Sequence, residues 1–197
     1  MRNLARERRA FSLIELLIVV AIIGIIAAMA VPYAQPGTHE KLRGAAEILV
    51  SDLGYARSLA VGNNSRYRIS FDTALGTYSL RHSGANPSLD VLPENPFVAP
   101  GGSPNEQVTD LSDFPSLGGA VQFETVAAGA SMTEVSDLEF TSLGATVRSD
   151  ETQIWLTASG GNGRRYLPVV VNPVTGLATI GEFRTTRPGA ALVVSGP

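Results

Sequence analysis

A single carboxylate, Glu15, lies inside an otherwise apolar run from Phe11 to Val31, in which the only other polar side chain is that of Ser12. A charged side chain at the centre of a bilayer costs about 2.5–3.5 kcal/mol or more to insert, so such residues usually have a function. We expect a positive group outside this chain to neutralise Glu15. The residue is therefore a candidate for assembly with other proteins.

A short basic leader, residues 1–10, precedes the apolar run. It holds four of the 15 Lys and Arg residues but only one of the 18 Asp and Glu residues. Basic charge in front of an apolar segment predicts a cytoplasmic N-terminus and an exported C-terminal domain. With 197 residues, the chain has room for one membrane helix and one globular domain.

The leader, Phe11, the long apolar run and Glu15, fifth from Phe11, together resemble the N-terminus of type IV prepilins and pseudopilins. The resemblance implies a prepilin peptidase that cuts between Ala10 and Phe11 and methylates the new amino terminus. The family usually has Gly before the cut, where this chain has Ala10. The resemblance also implies a single-pass protein of the bacterial inner membrane that is extracted into a periplasmic filament.

In such a filament, the resemblance implies that Glu15 accepts the positive amino terminus of a neighbouring processed subunit, here Phe11. Two unit charges at about 4 Å attract by ~4 kcal/mol at an effective dielectric constant near 20. This attraction offsets much of the cost of burying the carboxylate. Other pseudopilins or pilins are therefore the expected partners, through the N-terminal helix.

Two other interpretations of the N-terminus remain open. A secretory signal peptide would be cleaved after Ala28-Met29-Ala30 and would release a domain that begins at Val31. A charge inside its apolar region and Pro32 just beyond the cut count against this interpretation. An uncleaved membrane anchor of about 20 residues would keep Met1 at the N-terminus. The mature N-terminus distinguishes these alternatives from processing at Phe11.

The charge balance disfavours nucleic acid as a partner. The whole chain has a net charge of −3, and the part from Phe11 onward keeps 11 of the 15 basic residues and 17 of the 18 acidic ones, which gives −6. General nucleic-acid binding needs clustered basic charge, which an acidic domain lacks. The chain has no cysteine, which excludes disulfides and thiol chemistry.

The N-terminal helix is expected to continue beyond the apolar run. Residues 11–35 are assigned to a transmembrane and assembly half and residues 36–64 to an amphipathic half. Pro32 and Gln35-Pro36-Gly37 predict a kink or short break between the halves, because proline lacks an amide donor and clashes with the preceding turn.

The amphipathic half has its own start and stop signals. Thr38 is predicted as the N-cap, with Glu40 in the first turn, and Gly62-Asn63-Asn64 predicts the C-terminal end. Apolar residues between these signals recur every three or four positions and so share one helix face. They are Leu42, Ala46, Leu49, Leu53, Ala56 and Ala60.

Residues 65–197 are predicted to form an antiparallel β domain, which makes the fold class α+β, with a long N-terminal helix packed on an antiparallel sheet. Alternating apolar residues predict a hairpin of Tyr67–Phe71 with a strand through Tyr78 and Leu80. Short strands are expected around Val121 and Phe123 and around Leu138 and Phe140. A final meander is predicted from Gln153–Thr157, Arg165–Val171 and Leu177–Phe183.

A long loop is predicted at 83–116 because it carries six prolines. Loops of this length are uncommon in compact domains and are usually functional or mobile. The glycine-rich stretch from Ser159 to Arg165 lies between two predicted strands. A phosphate-binding loop should open a helix instead, so a hairpin turn is expected there.

Three further segments resemble GspH/FimT-like minor pseudopilins. They are Leu138–Gly144, Val169–Gly176 and the helix end Leu53–Ala60. The resemblance implies a non-catalytic filament or tip subunit of a type II secretion pseudopilus. The alternative that it leaves open is a minor type IV pilin used in pilus assembly or DNA uptake.

The positions of arginines bear on the DNA-uptake alternative. Related DNA-binding members place arginines close after the Thr-Gly turn, where this chain has Leu177-Ala178-Thr179. Basic charge appears only later in the chain. Four arginines could form a small basic patch there, although the favoured interpretation is that each is simply solvated at the surface. They are Arg164, Arg165, Arg184 and Arg187.

Signals of enzymatic activity are nearly absent from the sequence. His39 and His82 are far apart and lie beside no partner motif, so both are expected at the surface. No nucleophile elbow, phosphate loop or zinc-protease motif is present. We expect no cofactor and no metal, and retain an exported soluble enzyme only as the third hypothesis.

Overall fold

The computed structural model describes residues 12–30, 37–93, 103–115, 117, 119–160 and 163–189. The chain divides between Pro36 and Gly37 into two compact units. Within the described ranges, the helices and strands are α1 Leu13–Ala30, α2 Thr38–Gly62, β1 Tyr67–Asp72, β2 Thr77–His82, β3 Gln107–Asp110, β4 Val121–Ala128, β5 Thr133–Glu134, β6 Asp137–Phe140, β7 Thr152–Gly160, β8 Gly163–Val171 and β9 Ala178–Ile180.

The helix α1 belongs to the first unit and is apolar apart from Glu15. Its large apolar side chains are exposed, from 82% for Leu13 to 47% for Val19. Among the described residues, no helix combines the length and the hydropathy that crossing a membrane requires. The predicted kink at Pro32 and Gln35-Pro36-Gly37 falls largely outside the described residues, as do Ala10 and Phe11.

The helix α2 confirms the predicted amphipathic face. All six of the predicted face residues are fully buried, and Ala45 joins them. The prediction of Thr38 as the N-cap was wrong by one position. Thr38 is already helical, and the N-cap is Gly37, whose backbone is extended. The Gly37 N–H donates a hydrogen bond to the Glu40 carboxylate at 2.9 Å, which caps the helix from its first turn. The helix ends at Gly62 as predicted.

The strands form two antiparallel sheets rather than the single sheet predicted. One has the order β3-β2-β1-β6, and the other has the order β5-β4-β7-β8-β9. The expected hairpin is confirmed in the first sheet, where Ile69 pairs with Leu80. The expected meander lies in the second, where Leu156 pairs with Leu167. The α+β class is confirmed, with a helix packed on antiparallel sheets.

The long loop predicted at 83–116 includes short regular elements among its described residues. This segment contains β3 and the two short 3₁₀ turns Pro87–Leu89 and Leu111–Asp113. In β3, Gln107 and Thr109 are buried whereas Val108 is about half exposed. The polar residues thus face inward, which reverses the alternation by which strands are normally predicted.

The last strand is shorter than predicted, because β9 covers only Ala178–Ile180. Its partner β8 contains Pro168, which has no N–H to donate to the next position of the ladder. The Pro168 carbonyl still accepts from the Gly181 N–H at 2.8 Å. Further on, Tyr166 and Arg184 exchange two backbone hydrogen bonds, so the chain keeps following β8 after the strand ends.

The core lies between the apolar face of α2 and the inner faces of both sheets. Leu49 and Leu53 of α2 are fully buried together with Ile69 of the first sheet and with Ile154 and Leu167 of the second. Burial of one such side chain contributes about 1.5–3 kcal/mol. This shared core fixes the position of α2 on the sheets.

One polar contact accompanies this packing. The Tyr78 hydroxyl donates a hydrogen bond to Oδ2 of Asp52 at 2.6 Å, and Thr109 lies 3.5 Å from the same oxygen. Burial raises the pKa of the Asp52 carboxyl above its ordinary value, and the two hydroxyls partly oppose this rise. Burial also raises the pKa of Tyr78, and the charge on Asp52 adds to that rise. Tyr78 therefore remains a donor at neutral pH.

We predict that Tyr78→Phe lowers the free energy of unfolding by about 1–3 kcal/mol at pH 7, because a partly buried carboxylate loses its donor. The loss should shrink on acidification. The variant raises the folded-state pKa of Asp52 further, so protonation of Asp52 stabilises the variant more than the wild type.

Denaturant unfolding of the full-length protein in detergent, at neutral and acidic pH, measures both effects. Tyr55→Phe is the matched control, since the Tyr55 hydroxyl has no hydrogen-bond partner among the described residues. Equal losses in the two variants would contradict the prediction.

Candidate functional site

Glu15 lies in the first turn of α1. The backbone N–H groups of Glu15 and Leu16 both donate to the Ser12 carbonyl, at 3.1 and 3.2 Å, so the helical hydrogen bonding begins at Ser12. A carboxylate in this position is favoured by the positive end of the helix dipole. No cationic side chain among the described residues pairs with Glu15. The expected pairing with Phe11 of a neighbour thus stays a prediction.

Two of the four arginines proposed as a basic patch are paired with one carboxylate. Arg187 forms a hydrogen-bonded ion pair with Glu124, and Nη1 of Arg164 lies 3.6 Å from the other Glu124 oxygen. The Glu124 side chain is only 6% exposed, whereas both arginine side chains are more than half exposed. Nucleic-acid phosphates would have to compete with this carboxylate for the two arginines.

The other two arginines of the proposed patch have different surroundings. The Arg184 guanidinium lies over the ring of Trp155, 5.3 Å from its centroid, which is the geometry of a cation–π contact. Arg165 lies on β8 and is partly exposed. The segment after β9 therefore lies against the outer face of the second sheet, held by Arg184 on Trp155 and by Arg187 on Glu124.

Arg57 joins α2 to two turns that are distant in sequence. Its Nε donates to the carbonyl of Thr175 at 2.8 Å and to the carbonyl of Gly144 at 3.1 Å. These three residues belong to the three segments that resemble minor pseudopilins, so the structure brings all three segments to one place. The backbone requires glycine at both Gly144 and Gly176, whose φ angles are +80° and +65°.

The close approach of the two turns is a second reason why position 176 needs glycine. A Cβ atom at Gly176 would overlap the Gly144 carbonyl oxygen, which itself accepts from Arg57. The two turns are also joined by the Thr146 N–H, which donates to the Pro173 carbonyl at 2.9 Å. The N–H and carbonyl groups named here form hydrogen bonds with one another, so we interpret this contact between the turns as structural.

The two histidines have different environments. His39 is exposed, as expected, with its ring 4.3 Å from the ring of Phe183. The expectation that His82 lies at the surface was wrong, because its side chain is fully buried between Ser65 and Asp90. No sequence motif relates these three residues. Within the described ranges, no three His, Asp or Glu side chains are grouped so that they could hold a metal ion.

The N-terminus of the chain is similar to a known sequence motif. Residues 5–31 match the prokaryotic N-terminal methylation motif. None of the curated protein sequences matches the chain.

Two crystal structures of the type IV minor pilin FimU from Pseudomonas aeruginosa strain PAO1 align with much of the chain. The FimU chain in space group P21 is 19% identical, with a TM-score of 0.47, and the match covers 75% of this chain and 96% of that crystallised chain. The form in P65 is 20% identical, with a TM-score of 0.44, and covers 74% and 98%.

The motif includes Ala10, Phe11 and Glu15, the three residues that the sequence had singled out. The N-terminus of the chain is therefore similar to the prokaryotic N-terminal methylation motif, which agrees with its resemblance to type IV prepilins.

Proposed function

We propose that the protein is a minor pseudopilin, a non-catalytic filament or tip subunit of a type II secretion pseudopilus. The observation that supports this most directly is the match of residues 5–31 to the methylation motif. The matched range includes Glu15, which lies in the first turn of α1. An apolar helix with one carboxylate, which pairs with no cationic side chain among the described residues, suits assembly with other helices of the same kind. Prepilin peptidase is the proposed processing enzyme.

The inner membrane is the proposed location of the precursor. The side chains of α1 that the structure describes are exposed and apolar, apart from Ser12 before the helix and Glu15 within it. Lipid surrounds such a helix in the membrane, and neighbouring helices replace the lipid in a filament. The basic leader keeps the N-terminus cytoplasmic, so the globular unit is periplasmic.

The type II secretion role is preferred to DNA uptake because of the arginine contacts. Arg164 and Arg187 share the Glu124 carboxylate, and Arg184 lies on Trp155. The chain from Phe11 onward is also acidic. These contacts reduce the positive charge that the proposed patch of four arginines can offer to phosphates. A minor type IV pilin for pilus assembly remains the second candidate for the same fold.

We predict that the mature protein begins at methylated Phe11. Mass spectrometry of the N-terminal peptide from purified membranes measures this directly. A strain without prepilin peptidase is the control and should keep Met1. An N-terminus at Val31, or Met1 in the strain that has the peptidase, would contradict the prediction.

We predict that Glu15→Leu keeps normal membrane levels but lowers the amount in sheared filaments at least about tenfold, which corresponds to about 1.4 kcal/mol. The neighbour's amino terminus then enters an apolar bundle without its counter-charge. Immunoblots of membrane and filament fractions measure both amounts. Glu47→Gln is the matched control, because Glu47 is an exposed carboxylate of α2 paired with Arg43. Wild-type amounts of the Leu variant in filaments would exclude the proposed pairing.

We predict that deletion of the gene abolishes exoprotein secretion and leaves twitching and transformation intact. Complementation with the double variant Arg184→Glu, Arg187→Glu should restore secretion without changing DNA retention, since neither arginine is expected to contact DNA. Loss of twitching or transformation with normal secretion would instead favour the pilus alternative. Loss of DNA retention in the double variant would favour DNA uptake.

A further inference from the structure

Exposed apolar side chains lie around Arg57, near the C-terminal end of α2. Among the described residues outside α1, eight large apolar side chains are exposed, and four of them adjoin the contacts that Arg57 makes. They are Leu143 at 87%, Val174 at 79%, Leu177 at 55% and Val61 at 47%. These four residues and Arg57 are called the Arg57 patch.

The first two of these side chains meet Arg57 at the turn that contains Gly144. A Cβ atom at Gly144 would lie 3.0 Å from Nη2 of Arg57 and 3.1 Å from Cγ2 of Val61. Leu143 directly precedes this glycine in the chain. Val61 and Leu143 are therefore neighbours of the guanidinium, one from the helix and one from the turn.

The other two side chains come from the second turn that Arg57 contacts. Val174 precedes Thr175, whose carbonyl accepts from Nε of Arg57 at 2.8 Å. Leu177 follows Gly176, where a Cβ atom would lie 3.2 Å from Cδ of Arg57. The patch is thus built from three segments that are distant in sequence.

Arg57 is held in place but has no anionic partner among the described residues. Its Nε donates to two carbonyls, whereas its Nη atoms donate to no acceptor there. No carboxylate in the described ranges forms an ion pair with it. The side chain is partly exposed, and because the carbonyls already orient it, an incoming carboxylate does not have to. An arginine among apolar side chains is typical of the energetically dominant part of protein interfaces.

The turn between β1 and β2, at 72–76, carries the complementary groups. Leu75 in this turn is 73% exposed. Asp72 is exposed and forms no ion pair among the described residues. Its Oδ1 accepts from the N–H groups of Ala74 and Leu75 at 3.0 and 2.9 Å, so the carboxylate is fixed beside the leucine.

We propose that the Arg57 patch binds the turn at 72–76 of a second copy of this chain. Leu75 of that copy lies among the apolar side chains of the patch, and its Asp72 pairs with the Arg57 guanidinium. Two patches facing each other would instead bring two guanidinium groups together, which like-charge repulsion disfavours. The contact belongs to the globular unit and adds to any association through α1.

The two surfaces lie at opposite ends of the first sheet. Tyr67, at the start of β1, pairs with Phe140, from which the chain continues to Leu143. Asp72 is at the other end of β1, about 17 Å from Tyr67 at ~3.4 Å per residue. Copies in one orientation can therefore bind head to tail, which is the type of contact that builds filaments.

Cross-linking between two single-cysteine variants tests the contact, because the chain has no cysteine of its own. Full-length Leu75→Cys and Leu143→Cys are mixed in detergent and treated with bis-maleimidoethane. Docking raises the effective concentration of the two thiols, so we predict at least about tenfold more product between positions 75 and 143 than in the control mixture. Mass spectrometry of the joined peptides measures the yield.

The control mixture contains Leu75→Cys and Val91→Cys. Val91 is 63% exposed, as a patch residue would be, but lies in neither of the two surfaces. Because the changed side chains are all exposed, the unfolding midpoints of the three variants should equal that of the wild type.

A charge variant in the Leu75→Cys chain tests the ion pair. Asp72→Asn keeps Oδ1 as an acceptor for the two N–H groups of the turn and removes only the charge. We expect the yield between 75 and 143 to fall at least about fivefold, as for the loss of a close charge pair at an interface. Asp150→Asn, which changes an exposed carboxylate elsewhere, should leave the yield unchanged.

Equal yields in the two mixtures would overturn the proposal and would mean that a different protein, or none, covers the patch. An undiminished yield in Asp72→Asn would overturn it as well. Both yields are read on purified protein, without filament assembly. Their outcome is therefore separate from that of the Glu15→Leu experiment and of the gene deletion.

Discussion

Burial of one face of α2 is the constraint on which the globular unit depends. Among the described elements, α2 contacts β1 and β6 of the four-stranded sheet and β4, β7, β8 and β9 of the five-stranded sheet. Its buried face is built from leucine and alanine, and the small alanines allow the strands to approach the helix closely. Because this face is shared, the two sheets and the helix form a common core rather than two separate ones.

Polar contacts then fix the helix at specific points. Asp52 accepts from Tyr78 of the first sheet, and Arg57 donates to the turns that contain Gly144 and Thr175. Apolar packing alone tolerates small shifts of a helix, whereas hydrogen bonds with defined partners do not. Both turns need glycine because Gly144 and Gly176 have positive φ angles. A side chain at Gly176 would also overlap the Gly144 carbonyl oxygen, which accepts from Arg57.

The helices α1 and α2 differ in whether their apolar side chains are buried within the chain. The apolar face of α2 is buried within the chain, whereas the described side chains of α1 are exposed and Glu15 pairs with no cation among the described residues. In the proposed filament, neighbouring subunits would cover the side chains of α1.

The sequence by itself determined the features that depend on local periodicity and on single unusual residues. The buried face of α2, the hairpin through Ile69 and Leu80 and the isolated carboxylate at Glu15 could be read from spacing and composition. Tertiary structure alone decided how the strands divide into two sheets and that β3 turns Gln107 and Thr109 inward. It also brought Arg57 to turns 87 and 118 residues away, and His82 between Ser65 and Asp90. The physical reason is that side-chain alternation reports only which face a residue occupies, whereas such meetings depend on how distant segments pack.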